Sequence, residues 1–242
     1  NANTGGINCG VEVFDRADST EEFQAMFSVR GKALYTKMDF LFKMIGEILN
    51  SSKLEDTKRL YEIVASVKSR AQVNLTGAGH STAVLRAAAY SSPMAAFQDE
   101  MAGIGYYQFI EKLEKDFEQR KEETVEELCK LMKKILRPEN FMISYTGERE
   151  SLETVQKLAG AVKAGLGTEP VEKSEEKLTC TKKNEGFKTS GQVQYVAQTG
   201  NFKKKGLEYT GALEILKVIL SYDYLWMNLR VKGGAYGCMS GF

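Results

Sequence analysis

The chain has 242 residues, with 33 Lys and Arg against 32 Asp and Glu, and so a formal charge of +1. Its 43% hydrophobic and 27% charged residues are typical of globular proteins, and its length allows one large domain or two smaller ones. A balanced charge gives no overall field to attract nucleic acid or an anionic membrane, so we expect neither as a partner. We also expect no membrane span, because no apolar run approaches about 20 residues.

Histidine and cysteine usage restricts the metal chemistry that the chain can perform by itself. His80 is the only histidine, which excludes any self-contained site needing two imidazoles, including the two-His zinc helix of many metalloproteases. The four cysteines contain no C-x-x-C pair and predict neither a metal knuckle nor a redox motif. Four widely spaced thiols favour a reducing compartment, although disulfides stay possible.

The first predicted elements are two strands. Apolar residues alternate with polar ones over residues 7–14 and again over 23–30, which is the period of a strand with one buried face. Ser19 and Glu22 also fit a helix capping box, but an alternating run follows them. We therefore predict two strands joined by a polar turn.

Four helical regions are predicted after these strands. Apolar residues recur at spacings of three and four over 34–49, 60–75 and 106–135, and Pro138 prevents further extension. Ser92-Pro93 and Gly103 bound a short helix between the second and third of these regions. The alternation of Phe141, Ile143 and Tyr145 then predicts a strand, and a helical stripe follows over 152–166.

A change of composition divides the chain. Residues 167–189 are rich in Glu, Lys and Thr, as in an exposed connector. Beyond them we predict a strand at 193–197, helices at 213–220 and 224–229, and the start of a strand at 235–242. We therefore assign residues 1–166 to one α+β domain, 167–189 to a linker and 190–242 to the start of a second domain. About 50 residues are too few for a core, so we expect the chain to be cut at both ends.

Most candidate catalytic patterns are weak. His80 beside Ser81 has no nearby orienting carboxylate in sequence, so a surface histidine is favoured over a nucleophile pair. Gly77-x-Gly79 lacks the third glycine of a nucleotide-binding loop. Acidic clusters over 111–127 alternate with cations as on a solvated helix face, and Lys203–Lys205 lacks the aromatic residues of a nucleic-acid platform.

Arg230 and Tyr236 form the most informative pattern. A helix is predicted to end just before Gly233-Gly234, which places Arg230 and Tyr236 on either side of a tight turn, where both could face one cleft. A guanidinium donates paired hydrogen bonds to carbonyl oxygen, and a phenol can donate one to an oxyanion. By spacing alone a packing role is favoured, because the helix dipole favours Arg at a C-terminus and strands favour Tyr.

The stretch Leu229-Arg-Val-Lys-Gly-Gly-Ala-Tyr-Gly237 closely resembles the Arg-x-Lys…Tyr-Gly element of pitrilysin/insulinase-type zinc peptidases, and most of all their presequence-protease branch. Three further stretches agree in order along the chain: Thr4-Gly-Gly-Ile7, Ser28-x-x-Gly-Lys-Ala-Leu34 and Asn140-Phe-Met-Ile-Ser-Tyr-Thr-Gly147.

The resemblance implies an α+β fold of the two-layer sheet-and-helix roll (LuxS/insulinase-like) type in a zinc metalloendopeptidase that degrades unstructured peptides in a chamber. This chain would belong to its C-terminal half, which lacks zinc, with one nearly complete domain and the start of the next. Arg230 and Tyr236 would contact the substrate and its tetrahedral intermediate, without acid-base work.

The implied partners are the peptide substrate and the N-terminal half of the same polypeptide, which would carry the zinc on H-x-x-E-H. The fragment alone would bind no zinc and cleave nothing. We expect a bacterial-type cytoplasm, or else an organelle matrix. A non-catalytic interaction or scaffold module on the same fold is the alternative, and an unrelated helical scaffold is a third possibility.

Overall fold

The computed structural model describes residues 3–16, 18–171 and 178–242. The chain divides into two compact units, residues 1–199 and 200–242. Within the described residues both units are mainly helical, and the first also contains a small sheet. The predicted α+β class is therefore confirmed at that level.

The sheet consists of β1 (Ile7–Asp15) and β2 (Phe23–Gly31), which pair antiparallel from Ile7 opposite Gly31 to Asp15 opposite Phe23. The hydroxyl of Ser19 accepts the backbone N–H groups of Glu21 and Glu22 in the connection, so it stabilises a turn and not a helix start. Both predicted strands are confirmed. The sheet approaches a later helix through the rings of Phe23 and Phe97, whose centres lie 5.3 Å apart.

Among the residues of the first unit that the structure describes, seven helices follow, and each predicted helical region is present. They are α1 (Met38–Ser51), α2 (Thr57–Gly77), α3 (Gly79–Ala88), α4 (Pro93–Ala102), α5 (Ile104–Lys115), α6 (Phe117–Ile135) and α7 (Leu152–Ala164). Short 3₁₀ turns cover Tyr35–Lys37, Pro138–Asn140 and Arg149–Ser151. The long charged region 106–135 is two helices, because the chain turns at Asp116.

The core of the first unit lies between α2, α5 and α6. Val64, Ile110, Leu113 and Phe117 are buried together there, with Phe117 only 1% exposed. Burying such apolar side chains contributes about 1.5–3 kcal/mol each. A second contact joins α1 to α7, whose buried side chains include Met38, Leu41, Val155, Ala159 and Val162.

The second unit contains a short 3₁₀ turn at Lys203–Lys205, α8 (Ala212–Ile219) and the π-helical segment Leu220–Lys232. The two helices predicted at 213–220 and 224–229 are thus present, as one continuous helical run. No residue between 200 and 242 is buried, in contrast to the core of the first unit.

Three predicted strands are wrong: residues 141–145, 193–197 and 235–242 are irregular. Strands need a hydrogen-bonding neighbour, and in the described residues β1 and β2 pair only with each other. Residues 235–242 instead return along the π-helical segment, where the hydroxyls of Ser221 and Ser240 lie 2.9 Å apart.

Candidate functional site

A tight turn ends the π-helical segment and orders the residues around Arg230. The backbone N–H of Ala235 donates to the Leu229 carbonyl over 2.9 Å, and Gly234 has a φ of 72°, a conformation that glycine adopts without strain. A side chain on Gly233 would place its Cβ 2.8 Å from the same carbonyl oxygen. The Gly-Gly pair therefore permits the close turn that the chain makes here.

Arg230 is exposed and is held at two points. Its Nη1 donates to the Ala235 carbonyl oxygen over 3.1 Å. Its guanidinium carbon lies 5.9 Å from the ring centre of Trp226, within range of a cation–π interaction. Within the described residues no carboxylate forms an ion pair with it. The guanidinium is thus oriented while its charge stays available.

Tyr236 follows the carbonyl that Arg230 binds, and it is 93% exposed. The turn therefore brings the Arg230 guanidinium to the residue that precedes Tyr236. In the described part of the chain no hydrogen bond joins the two side chains. That Arg230 and Tyr236 face one cleft therefore stays a prediction.

The sequence alone does not predict a role for Trp226. Its spacing of four from Arg230 on a predicted helix is a usable signal, because side chains four apart share a helix face. It is also the only tryptophan in the chain.

His80 and Ser81 lie in the first turn of α3. The imidazole is exposed and packs near Tyr195, with ring centres 6.2 Å apart. Among the described hydrogen bonds none joins His80 to Ser81, so the geometry favours the surface-histidine interpretation.

A second arginine, Arg86 on α3, lies at the centre of a charged cluster that the sequence did not predict. Its Nη1 lies 2.7 Å from Asp99 Oδ2 and its Nε 2.8 Å from Glu185 Oε2. The Tyr90 hydroxyl also donates to Glu185, and the guanidinium carbon lies 5.6 Å from the Tyr90 ring centre. Arg86 therefore links α3, α4 and the segment around Glu185.

The contacts within this cluster shift the pKa values of its members. The Arg86 guanidinium, followed by the Tyr90 hydroxyl, lowers the pKa of Glu185 below its ordinary value. The pKa of Arg86 is raised, chiefly by its hydrogen bond to Glu185. Burial, with a smaller contribution from Glu185, raises the pKa of Tyr90. The shifts of Glu185 and Arg86 favour the charged pair, and the shift of Tyr90 keeps its hydroxyl protonated as a hydrogen-bond donor.

Asp99 is 1% exposed and also accepts the backbone N–H groups of Ile104 (3.0 Å) and Gly105 (3.1 Å) at the start of α5. A Cβ on Gly103 would lie 2.9 Å from the Asp99 Cα. With both carboxylate oxygens occupied by structural partners, this cluster is suited to holding helices together and not to binding a ligand.

In residues 3–16, 18–171 and 178–242, no three His, Cys, Asp or Glu side chains are arranged so that they could hold a metal ion. Over the same residues, no helix has the length and apolar character required to cross a membrane.

Matches to known protein families cover most of the chain. Residues 1–113 match the family model of the domain associated with M16 peptidases of subfamily C, and residues 184–242 match the "PreP C-terminal domain". The chain is 35% identical over its whole length to Protein HypA of Clostridium perfringens, and covers 25% of that protein.

Two organellar relatives align over nearly the whole chain. Presequence protease 1, chloroplastic/mitochondrial, of Arabidopsis thaliana is 27% identical over 94% of this chain and 22% of its own length. The mitochondrial presequence protease of Saccharomyces cerevisiae is 27% identical over 97% of this chain and 25% of its own length. The chain thus spans about a quarter of the length of these curated relatives.

Proposed function

Because this chain belongs to the presequence-protease branch of the M16, insulinase-type peptidase family, we propose that it forms part of the half of a zinc metalloendopeptidase that binds substrate but not zinc. In that role Arg230 and Tyr236 contact the backbone of a bound peptide. The names of the relatives state a protease activity for those proteins. We propose the same activity for the whole protein to which this chain belongs.

The observation that carries the proposal is the set of hydrogen-bond partners of the Arg230 guanidinium. Its guanidinium already donates to a backbone carbonyl, that of Ala235, and has no carboxylate partner among the described residues. A guanidinium has five N–H donors, so one bond of this kind leaves others for a second carbonyl. A peptide substrate presents the same kind of acceptor, a backbone carbonyl. The Trp226 ring contacts the guanidinium without accepting hydrogen bonds from those remaining N–H groups.

Tyr236 supplies a different donor. Its phenol is 93% exposed and lies one residue beyond the carbonyl to which Arg230 is bound. A phenolic O–H that is fixed near a reacting carbonyl stabilises the oxyanion of a tetrahedral intermediate. The proposed role of the pair is to bind and stabilise charge, while proton transfer belongs to groups elsewhere in the protein.

This chain has a single histidine, so it cannot form by itself the two-His zinc site of many metallopeptidases. We therefore assign the metal to another part of the whole protein and derive no step through it. The chain alone is proposed to be inactive, and chelator-sensitive peptide cleavage by the isolated chain would contradict this.

The broader architecture is part of the same proposal. We propose that residues 1–166 form most of one domain of the two-layer sheet-and-helix roll type and residues 190–242 the first part of a second, joined by the linker 167–189. The proposed partners are an unstructured peptide and the N-terminal half of the same polypeptide. The two halves of that polypeptide are proposed to enclose the peptide in a chamber. A bacterial-type cytoplasm or an organelle matrix is the proposed compartment, in keeping with the clostridial and mitochondrial relatives.

Tyr236→Phe in the full-length protein tests the proposal with the loss of one oxygen atom. We expect kcat/KM for an unstructured peptide to fall about ten- to a thousandfold, as when an oxyanion donor is removed. Tyr222→Phe is the matched control, because Tyr222 is 69% exposed in the same unit, and it should leave kcat/KM unchanged. A kcat/KM of Tyr236→Phe equal to that of the wild type would refute the role proposed for Tyr236.

A further inference from the structure

Trp226 lies against the guanidinium of Arg230 in the π-helical segment. The guanidinium carbon is 5.9 Å from the indole ring centre, and Trp226 itself is 45% exposed. An arginine side chain has four rotatable bonds beyond its Cα, so an exposed one is ordinarily mobile. The ring and the Ala235 carbonyl, 3.1 Å from Nη1, restrict that motion from two directions.

The chemical nature of this support affects what Arg230 can do. A carboxylate at the same place would bind the N–H groups of the guanidinium and neutralise its charge. An aromatic ring attracts the cation through its π face and leaves the N–H groups at the guanidinium edge available. Trp226 therefore orients the guanidinium without consuming the donors that a peptide carbonyl requires.

We propose that Trp226 is a positioning residue for Arg230, holding the guanidinium in place for a substrate carbonyl. The inference rests on the proposed function, since it assumes that Arg230 contacts substrate. It adds a residue that acts only through Arg230. Trp226 itself touches neither the peptide nor the reacting atoms.

The test is a double-mutant cycle on kcat/KM in the full-length protein, with Trp226→Ala, Arg230→Ala and the combined variant. An exposed cation–π contact of this kind corresponds to a loss of about two- to fivefold on Trp226→Ala. We expect Trp226→Phe, which keeps an aromatic face, to recover most of that loss. In the Arg230→Ala background Trp226→Ala should have no further effect. Tyr222→Ala, an exposed aromatic four residues earlier, is the control and should be silent.

The outcomes separate the two proposals. If Arg230→Ala leaves kcat/KM unchanged, the substrate role of Arg230 fails, and the positioning role fails with it. If Arg230→Ala is impaired but Trp226→Ala is not, only the positioning role fails. An equal loss from Trp226→Ala in both backgrounds identifies a structural role and overturns the inference, as does the absence of any recovery in Trp226→Phe.

Discussion

Arg86 and Arg230 both lie on helical segments beside aromatic rings, but their polar partners differ. Arg86, with a side chain 17% exposed, binds the carboxylates of Asp99 and Glu185. Arg230 is exposed and binds one backbone carbonyl, with no carboxylate partner in the described residues. A guanidinium whose charge is matched inside a unit contributes to its architecture, whereas one that is oriented but unmatched stays available to a ligand.

The largest effect on stability is expected from breaking the Arg86 cluster at Asp99. Asp99→Ala leaves the largely buried Arg86 cation with one carboxylate fewer and two N–H groups at the start of α5 without their acceptor. Removing one partner of a buried ion pair costs about 3–5 kcal/mol. Urea unfolding should show this loss. Asp99→Asn, which keeps one acceptor oxygen, should fall between Asp99→Ala and the wild type, and wild-type stability in both would contradict the account.

Gly103→Ala should cost less, because it disturbs the same cluster by steric conflict. The new Cβ would lie 2.9 Å from the Asp99 Cα, and overpacking of this kind costs about 1–3 kcal/mol. Gly160→Ala in α7 is the matched control, since among the described residues its added Cβ meets nothing within 4 Å beyond the adjacent backbone of its own helix. Replacing a helical glycine there should stabilise by up to about 1 kcal/mol. The same urea experiment checks both signs.

A smaller effect concerns the docking of Glu185, and it depends on pH. The pKa of Glu185 is lowered in the folded chain, first by Arg86 and then by Tyr90. The carboxylate therefore adds stability that is present above its ordinary pKa near 4.5 and is lost as the pH falls through the lowered folded value. Glu185→Gln should remove this part of the acid dependence and cost no more than about 1 kcal/mol at pH 7. An unchanged pH profile of urea unfolding would show that the pair contributes nothing.

The smallest effect is expected on the surface of α6. Arg120 and Glu123 form a 2.8 Å ion pair one turn apart, and both side chains are more than a third exposed. Water screens such pairs, so Glu123→Gln should leave the urea midpoint unchanged within measurement error. A shift as large as that of Glu185→Gln would mean that burial is not what distinguishes the Arg86 cluster.

The sequence predicted the elements whose signal is local. The stripe over 34–49 and the alternation over 7–14 depend on a repeating pattern within one segment, and both elements are present. Residues 141–145 alternate equally well but are irregular, because a strand also needs a neighbour that the pattern does not specify.

The functional residues also divide into those that a local sequence pattern predicts and those that only the fold brings together. Arg230 and Tyr236 were selected through a motif of consecutive residues, and Trp226 lies within reach of the same local reasoning. Arg86, Asp99 and Glu185 are brought together by the packing of α3, α4 and a distant segment, since Glu185 is 99 residues from Arg86. No spacing rule connects residues so far apart, and only the fold reveals their cluster.

The most direct measurement for the contrast between the two arginines is kcat/KM of Arg230→Ala in the full-length protein, with the far-ultraviolet circular dichroism spectrum recorded on the same sample. The account predicts a fall of at least about tenfold with an unchanged spectrum, because Arg230 serves a ligand and not the fold. An unchanged kcat/KM, or a fall accompanied by loss of helical signal, would contradict it.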